Sequence, residues 1–314
     1  IGSKREKTLV DYYYVNYPQV FDGEEHEGYY TQEQIKDVVA YAASKYINVV
    51  PEIEMPGHAL AALASYPELS FDSTQTYKVS PTWGVFEQVF CPSETTFKFF
   101  EGVMDEVVEL FPSEYIHIGG DECPKTAWKN SAFCQQLIRQ LGLKDDVTPS
   151  KVDGVKHSKQ DKLQSYFVTR MEKYLNDKGR NIIGWDEILE GGLAPNATVM
   201  SWRGVEGGLN AAKAGHNAIM TPMPYAYLDF YQEDPAIAPT TIGGYTTLKK
   251  TYSYNPAPDD ADELVKKHVI GMQGNIWREY MKNSDRTDYQ AFPRAMAIAE
   301  TGWTLDANIM AGRD

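Results

Sequence analysis

Hydrophobic and polar positions along the chain switch repeatedly between two patterns. Short apolar runs rich in β-branched residues predict buried strands, whereas apolar residues spaced three or four apart predict amphipathic helices. Strands are predicted near residues 48–54, 115–119, 181–185, 197–202, 217–220 and 268–276. Helices are predicted near residues 31–46, 59–65, 95–110, 161–178, 207–214 and 289–300. This alternation is typical of an α/β fold with a parallel sheet covered by helices.

The number of predicted strands is two short of a (β/α)8, or TIM, barrel. That barrel is the fold class we expect for an alternating chain of 314 residues. Residues 1–40 offer no convincing strand pair, and the chain begins without Met. We therefore expect residues 1–314 to be a single, partial barrel domain whose first two βα units lie in a preceding segment. An open gap is then expected between the strands at 49–54 and 268–276.

Polar residues collect where the predicted strands end. The second strand ends in two glycines followed by Asp121 and Glu122. At the carboxyl end of a barrel strand these side chains point to the usual catalytic face. Two adjacent carboxyls repel each other, so one is pushed toward its protonated form, as acid catalysis requires. An exposed Asp-Glu turn is the simpler interpretation of such a pair, but the preceding strand and glycines favour a catalytic site.

Three of the six tryptophans, Trp185, Trp202 and Trp277, follow predicted strands. A single Trp in such a place is more often a core residue. In a barrel, however, the ends of the strands converge, so these three indoles would line one pocket. An acid-bearing pocket with aromatic walls suits a neutral carbohydrate.

Composition and charge narrow the choice of partners. The net charge of −14 argues against nucleic acid and against anionic membrane surfaces. No apolar run approaches the roughly 20 residues of a membrane-spanning helix, and the N-terminus does not resemble a signal peptide. Cys91, Cys123 and Cys134 lack metal-type spacing and allow at most one disulfide, so the redox compartment stays open.

Five segments together resemble one family. Residues 117–122 read His-Ile-Gly-Gly-Asp-Glu, which looks like the catalytic signature of family 20 glycoside hydrolases, the β-N-acetylhexosaminidases. Four further segments resemble family motifs in the expected order: 51–58, 184–187, 227–229 and 277–279. The resemblance implies removal of terminal β-linked N-acetylglucosamine or N-acetylgalactosamine, with no cofactor and no metal. It also implies a retaining mechanism in which the substrate's own acetamido group attacks and forms an oxazolinium intermediate.

The resemblance also implies roles for individual residues. Glu122 would be the general acid/base, and Asp121 would orient and polarise the 2-acetamido group. Tyr227 would hydrogen-bond the acetamido oxygen, while tryptophans would enclose the sugar and further carboxylates would bind its hydroxyls. The full expected substrate-binding set is His58, Trp185, Trp202, Tyr227, Asp229, Trp277 and Glu279.

The chain departs from the family pattern at its start. The family's small α/β domain, its first strand with a substrate-binding Arg and its second strand are not found in this sequence. This departure makes a truncated, inactive carbohydrate-binding barrel the alternative function. A metallohydrolase using His58, His117, Asp121 and Glu122 is a third possibility, although the sequence has no His-x-His spacing.

The resemblance favours a secreted, periplasmic or lysosome-like location. The natural glycan, the preference for N-acetylglucosamine or N-acetylgalactosamine and the oligomeric state stay open.

Overall fold

The structure, a computed structural model, describes residues 27–304. Two compact units divide this part of the chain. The N-terminal unit comprises residues 27–80 and 84–199, and the C-terminal unit comprises residues 81–83 and 200–304. The prediction that no strand pair lies in residues 1–40 falls largely outside the described residues.

The N-terminal unit contains three parallel strands and the helices between them. The strands are β1 (Glu52–Met55), β2 (Tyr115–Gly119) and β3 (Asn181–Trp185). β2 pairs in parallel with both β1 and β3. The helices are α1 (Gln32–Ser44), α2 (Leu60–Ser65), α3 (Glu94–Leu110), α4 (Thr126–Asn130), α5 (Ala132–Gln140) and α6 (Lys159–Asp177). Two 3-10 helices span Pro67–Leu69 and Asp186–Leu189.

Helix α6 shows how local sequence defines an element of this unit. Ser158 caps its N-terminus and forms a reciprocal capping box with Asp161. Its buried face includes apolar residues at four-residue spacing, namely Leu163, Phe167, Met171 and Leu175. The chain then turns at Gly179, whose φ of +71° suits a residue without a Cβ. The cap and the apolar face together determine where α6 begins and which side chains face the core. Both are important because side chains of α6 support the site described below.

The C-terminal unit has shorter strands and more loop. β4 (Thr198–Ser201) crosses the boundary between the units, and β5 (Ala218–Met220) pairs in parallel with β6 (Val269–Met272). The helices are α7 (Glu206–Lys213), α8 (Met223–Ala226), α9 (Leu248–Tyr252), α10 (Glu263–His268), α11 (Ser284–Ala291) and α12 (Arg294–Trp303).

The fold is α/β with parallel strands, of the TIM-barrel type, as the alternation of patterns predicts. Helices α4, α5, α8, α9 and α10 were not predicted, and the predicted last helix is two helices separated at Pro293. Pro293 lacks an N–H, so it begins α12 and cannot continue α11. The single domain, the missing βα units and the open gap stay predictions. Among residues 27–304, no helix is long and apolar enough to cross a membrane.

Candidate active site

The loop after β1 approaches the main chain at the end of β2 very closely. A Cβ at Gly57 would lie 2.9 Å from the carbonyl oxygen of Asp121, so only glycine fits there. The next residue, His58, has φ +48°, and Glu122 has φ +46°. Both are non-glycine residues in the left-handed region, a strained geometry that is typical of functional sites.

This approach places the His58 ring between two carboxyls. Its Nε2 lies 3.3 Å from Oδ2 of Asp121 and 3.4 Å from Oε2 of Glu122. Hydrogen bonds to Asp121 and then to Glu122 raise the pKa of His58 to about 10, against the opposing effect of burial. At neutral pH the ring is therefore an imidazolium that links the two acids.

The two acids differ in their surroundings. The Asp121 side chain is 14% exposed and that of Glu122 is 37% exposed. Burial alone would raise the pKa of Asp121, but the hydrogen bond and charge of His58 lower it below its usual value. The result is a buried aspartate that stays charged beside a more accessible glutamate. These are suitable properties for a charge stabiliser and a proton donor.

A third carboxyl, that of Glu54 on β1, is hydrogen-bonded to Asp121. The Gly120 N–H donates to Glu54 Oε1 at 3.2 Å. Gly119 has φ +69°, and a Cβ there would overlap the Glu54 carboxyl. Burial, and then repulsion from Asp121, raise the pKa of Glu54 to about 10. Glu54 is therefore neutral at pH 7 and donates its proton to Asp121, since two contacting carboxyls must share one.

Two side chains hold the main chain around Asp121. Gln164 on α6 donates from Nε2 to the Gly120 carbonyl at 2.6 Å. Lys125 donates to the Cys123 carbonyl at 2.8 Å and to Gln164 Oε1 at 2.5 Å. The carbonyls on both sides of the acidic pair are thus bound, which fixes the direction of both carboxyls.

Trp185 lies in the N-terminal unit as a buried residue. Its indole Nε1 donates to Glu52 Oε1 at 2.9 Å, and its ring centroid is 4.8 Å from that of His117. His117 Nδ1 accepts from the Gly119 N–H at 3.0 Å and lies 3.2 Å from Glu52 Oε1. These contacts link side chains from all three strands of the unit.

The C-terminal unit brings together a second group of predicted residues. The Trp202 ring stacks on Tyr227, with centroids 6.3 Å apart and planes at 30°. Tyr227 also packs against Phe230, within an apolar cluster that Trp83 contacts. Trp277 is 37% exposed, so part of its indole face is open.

Two acids of this unit, the buried Asp229 and the half-buried Glu279, each have one buried oxygen without a partner. Asp229 Oδ1 and Glu279 Oε2 have no hydrogen-bond partner. Burial, and then repulsion from Glu279, raise the pKa of Asp229 well above its usual value. Burial also raises the pKa of Glu279. Unpaired buried oxygens are costly, and they suit groups that bind the hydroxyls of a ligand.

A metal site is the alternative use of the first group. Ligand atoms of His58, Asp121 and Glu122 lie within 4.8 Å of one another. The fourth residue of the proposed metal set, His117, is outside this group and its Nδ1 already accepts from main chain. Three of the four proposed ligands therefore lie together, and in this arrangement His58 bridges the two acids.

Comparison with known proteins identifies the family. The profile of glycosyl hydrolase family 20, catalytic domain, matches residues 1–306. The chain belongs to glycosyl hydrolase family 20. A "Beta-hexosaminidase" of Porphyromonas gingivalis is 50% identical over 285 residues, covering 90% of this chain and 35% of that protein. One of Vibrio furnissii is 36% identical, covering 92% of this chain and 45% of that protein.

A solved structure supports the fold assignment. The family 20 exo-β-N-acetylglucosaminidase of Vibrio harveyi, in complex with N-acetylglucosamine, aligns with a TM-score of 0.76 at 32% identity. The alignment covers 94% of this chain and 46% of that one. This family 20 chain thus spans less than half the length of each of these three proteins.

Sequence reasoning missed the part played by Glu54. It identified 51–58 as a family motif but assigned a role only to His58. The signal was present, because Glu52 and Glu54 are two apart on β1 and therefore share one face of the strand. The contact of Glu54 with Asp121 depends on pairing between β1 and β2, which periodicity does not specify.

The three cysteines, Cys91, Cys123 and Cys134, are buried and form no disulfide.

Proposed function

We propose that the chain is the catalytic domain of a β-N-acetylhexosaminidase. It removes terminal non-reducing β-linked N-acetylglucosamine or N-acetylgalactosamine from glycans. Membership of the family supports the reaction class, and the names of the relatives support the amino sugar. The observation that carries the proposal is the contact of one imidazolium, His58, with both Asp121 and Glu122.

The ionised state of the buried Asp121 supports a mechanism in which the substrate's own acetamido group is the nucleophile. Attack by the acetamido oxygen on the anomeric carbon leaves positive charge on the acetamido nitrogen. A carboxylate aimed at that N–H stabilises the charge more strongly in the transition state than in the ground state. The proton on Glu54 and the charge on His58 keep Asp121 fixed and ionised for this role.

Glu122 supports the proton transfer. Its carboxyl is more accessible than that of Asp121 and lies within reach of the same imidazolium. It would protonate the departing glycosidic oxygen and later remove a proton from the water that opens the oxazolinium. No carboxylate of the enzyme becomes attached to the sugar in this scheme.

The C-terminal unit would bind the sugar itself. By the family resemblance, Tyr227 contacts the acetamido group, and Trp202 and Trp277 of this unit enclose the ring. Asp229 and Glu279 each present an unpaired oxygen, which supports binding of sugar hydroxyls. The secreted, periplasmic or lysosome-like location stays a prediction.

Hydrolysis of nitrophenyl β-N-acetylglucosaminide by this chain tests the proposal. Glu122→Gln should lower kcat by roughly 10²–10⁴-fold for an alkyl glycoside. The loss should be smaller for the nitrophenyl leaving group, which needs little protonation. Glu94→Gln is the matched control, because Glu94 is exposed and pairs with Arg170.

Three outcomes would contradict the proposal or part of it. Binding of N-acetylglucosamine without hydrolysis would favour the inactive carbohydrate-binding barrel. Loss of activity with a chelator would favour the metallohydrolase. Equal losses for both leaving groups in Glu122→Gln would remove Glu122 from the acid role.

A further inference from the structure

Arg294, at the start of α12, is fully buried, with 0% of its surface exposed. Its guanidinium makes four hydrogen bonds, and all go to main-chain carbonyls. Nη2 donates to Leu228 at 2.6 Å and to Gln290 at 2.7 Å. Nη1 donates to Thr246 at 2.8 Å and to Phe230 at 3.3 Å. Only Nε is left without a hydrogen-bond partner, and among the described residues no carboxylate is in direct contact with the guanidinium.

Two of these carbonyls lie immediately before and after Asp229. The side-chain amide of Gln290, on α11, donates to the same two, at 3.1 Å to Leu228 and 3.2 Å to Phe230. Two side chains therefore hold the main chain on both sides of one acid. Connecting segments ordinarily run over the surface, whereas residues 228–230 are buried and their carbonyls are bound by side chains.

The charge of Arg294 also reaches Asp229 without touching it. Among the groups that act on Asp229, burial and Glu279 raise its pKa, and the Arg294 charge lowers it. Burial lowers the pKa of Arg294 itself to about 10, and the charged groups acting on it are Asp229, Tyr289 and Arg286. Because Arg294 is bound to carbonyls, the Asp229 carboxyl keeps an oxygen free for a ligand.

We propose that Arg294 is a positioning residue for sugar binding, which acts on Asp229 through the main chain at 228–230 and through its charge. This inference rests on the proposed function, since it gives Asp229 a sugar to bind. The planar fork of an arginine is needed for the first effect, because it reaches several carbonyls at once. A lysine would preserve only the second.

Three variants separate the two effects. Arg294→Met removes both and should raise KM for nitrophenyl β-N-acetylglucosaminide at least about tenfold, with a smaller change in kcat. It should also move the titration of Asp229 to higher pH, because the Arg294 charge that lowers the pKa of Asp229 is removed. Arg294→Lys should raise KM while leaving the titration of Asp229 in place. Gln290→Met should do the same more weakly.

A double-mutant cycle distinguishes positioning from general stability. If Arg294 acts through Asp229, then Arg294→Met in an Asp229→Asn background should change KM by less than about threefold. Arg286→Met is the matched control, since Arg286 also donates to carbonyls, of Pro239 and Thr240, at 3.1 Å each. It should lower Tm without changing KM.

The carboxyl ¹³C signal of Asp229 provides a test that needs no activity. Its titration should move to higher pH in Arg294→Met and stay in place in Gln290→Met. A folded Arg294→Met protein with unchanged KM and unchanged titration would overturn the inference, as would equal KM losses in both backgrounds. If Arg294→Met does not fold, Arg294→Lys and Gln290→Met decide through KM. If the parent protein lacks activity, the proposed function fails, and the titration alone decides the role of Arg294.

Discussion

The two units solve the problem of a buried acid in opposite ways. In the N-terminal unit, Asp121 contacts a cation directly, the His58 imidazolium at 3.3 Å. In the C-terminal unit, Asp229 has a cation nearby, but Arg294 is bound entirely to main-chain carbonyls. The first acid is held below its usual pKa and the second well above it.

The difference matches two kinds of chemistry. A carboxylate that must stabilise positive charge has to remain ionised in a place with little water, and a touching imidazolium ensures this. A carboxyl that binds neutral hydroxyls needs a free oxygen more than a full charge. In both units the main chain beside the acid is held by a glutamine from a neighbouring helix, Gln164 or Gln290. Both units therefore fix the main chain beside the acid. They differ in whether the cation contacts the carboxyl, as His58 does, or the neighbouring carbonyls, as Arg294 does.

The largest expected effect is the contrast between the two Asp→Asn variants. Asp121→Asn should lower kcat by roughly 10²-fold or more, because an amide cannot stabilise the developing positive charge. Asp229→Asn should act mainly on KM, by roughly tenfold, since its carboxyl already tends toward the neutral form. Steady-state kinetics on both variants, with exposed Asp177→Asn as control, measures this. Equal losses in kcat would contradict the comparison.

A smaller effect is expected when the imidazolium is removed. In His58→Gln the burial of Asp121 is no longer opposed, so its pKa rises toward the protonated form. As the pH is lowered, Asp121 is then protonated at a higher pH than in the parent protein. The acid limb of the pH profile of kcat should therefore move to higher pH. His268→Gln is the control, because that ring lies beside Asn217 instead. An acid limb that stays in place would show that His58 does not govern Asp121.

The smallest effect concerns Glu54 and should appear in stability. Its folded pKa of about 10 exceeds its ordinary value of 4.5. The protonated carboxyl therefore favours the fold fully below pH 4.5, and this contribution is lost as pH rises toward 10. Glu54→Gln carries an amide that does not titrate. Its Tm relative to the parent should increase between pH 5 and pH 9, by roughly a few degrees.

Scanning calorimetry across that range checks the Glu54 prediction, with exposed Glu68→Gln as the control. A Tm difference that is independent of pH would mean that Glu54 is ionised in the fold. The contact with Asp121 would then need another explanation.

Several elements follow from local sequence alone. Strand β3 spans the predicted residues 181–185, and α6 before it spans most of the predicted helix 161–178. Thr31 caps α1 with a capping box that its own sequence contains. The His-Ile-Gly-Gly-Asp-Glu segment and the four other motifs also indicated the family, because the five segments occur along the chain in the order that the family shows. These features depend on neighbours within a few residues, so a linear pattern predicts them.

The tertiary structure alone decided which charges meet. Nothing in the spacing of Glu54 and Asp121 along the chain shows that they share a proton, because that depends on the pairing of β1 with β2. Nor does the position of Arg294, on a helix distant in sequence, show that it binds the carbonyls beside Asp229. Burial and distance set a pKa and the direction of a side chain, and both arise only when separate elements pack. The sequence therefore specified the family and the candidate acids, while packing decided which acid is charged.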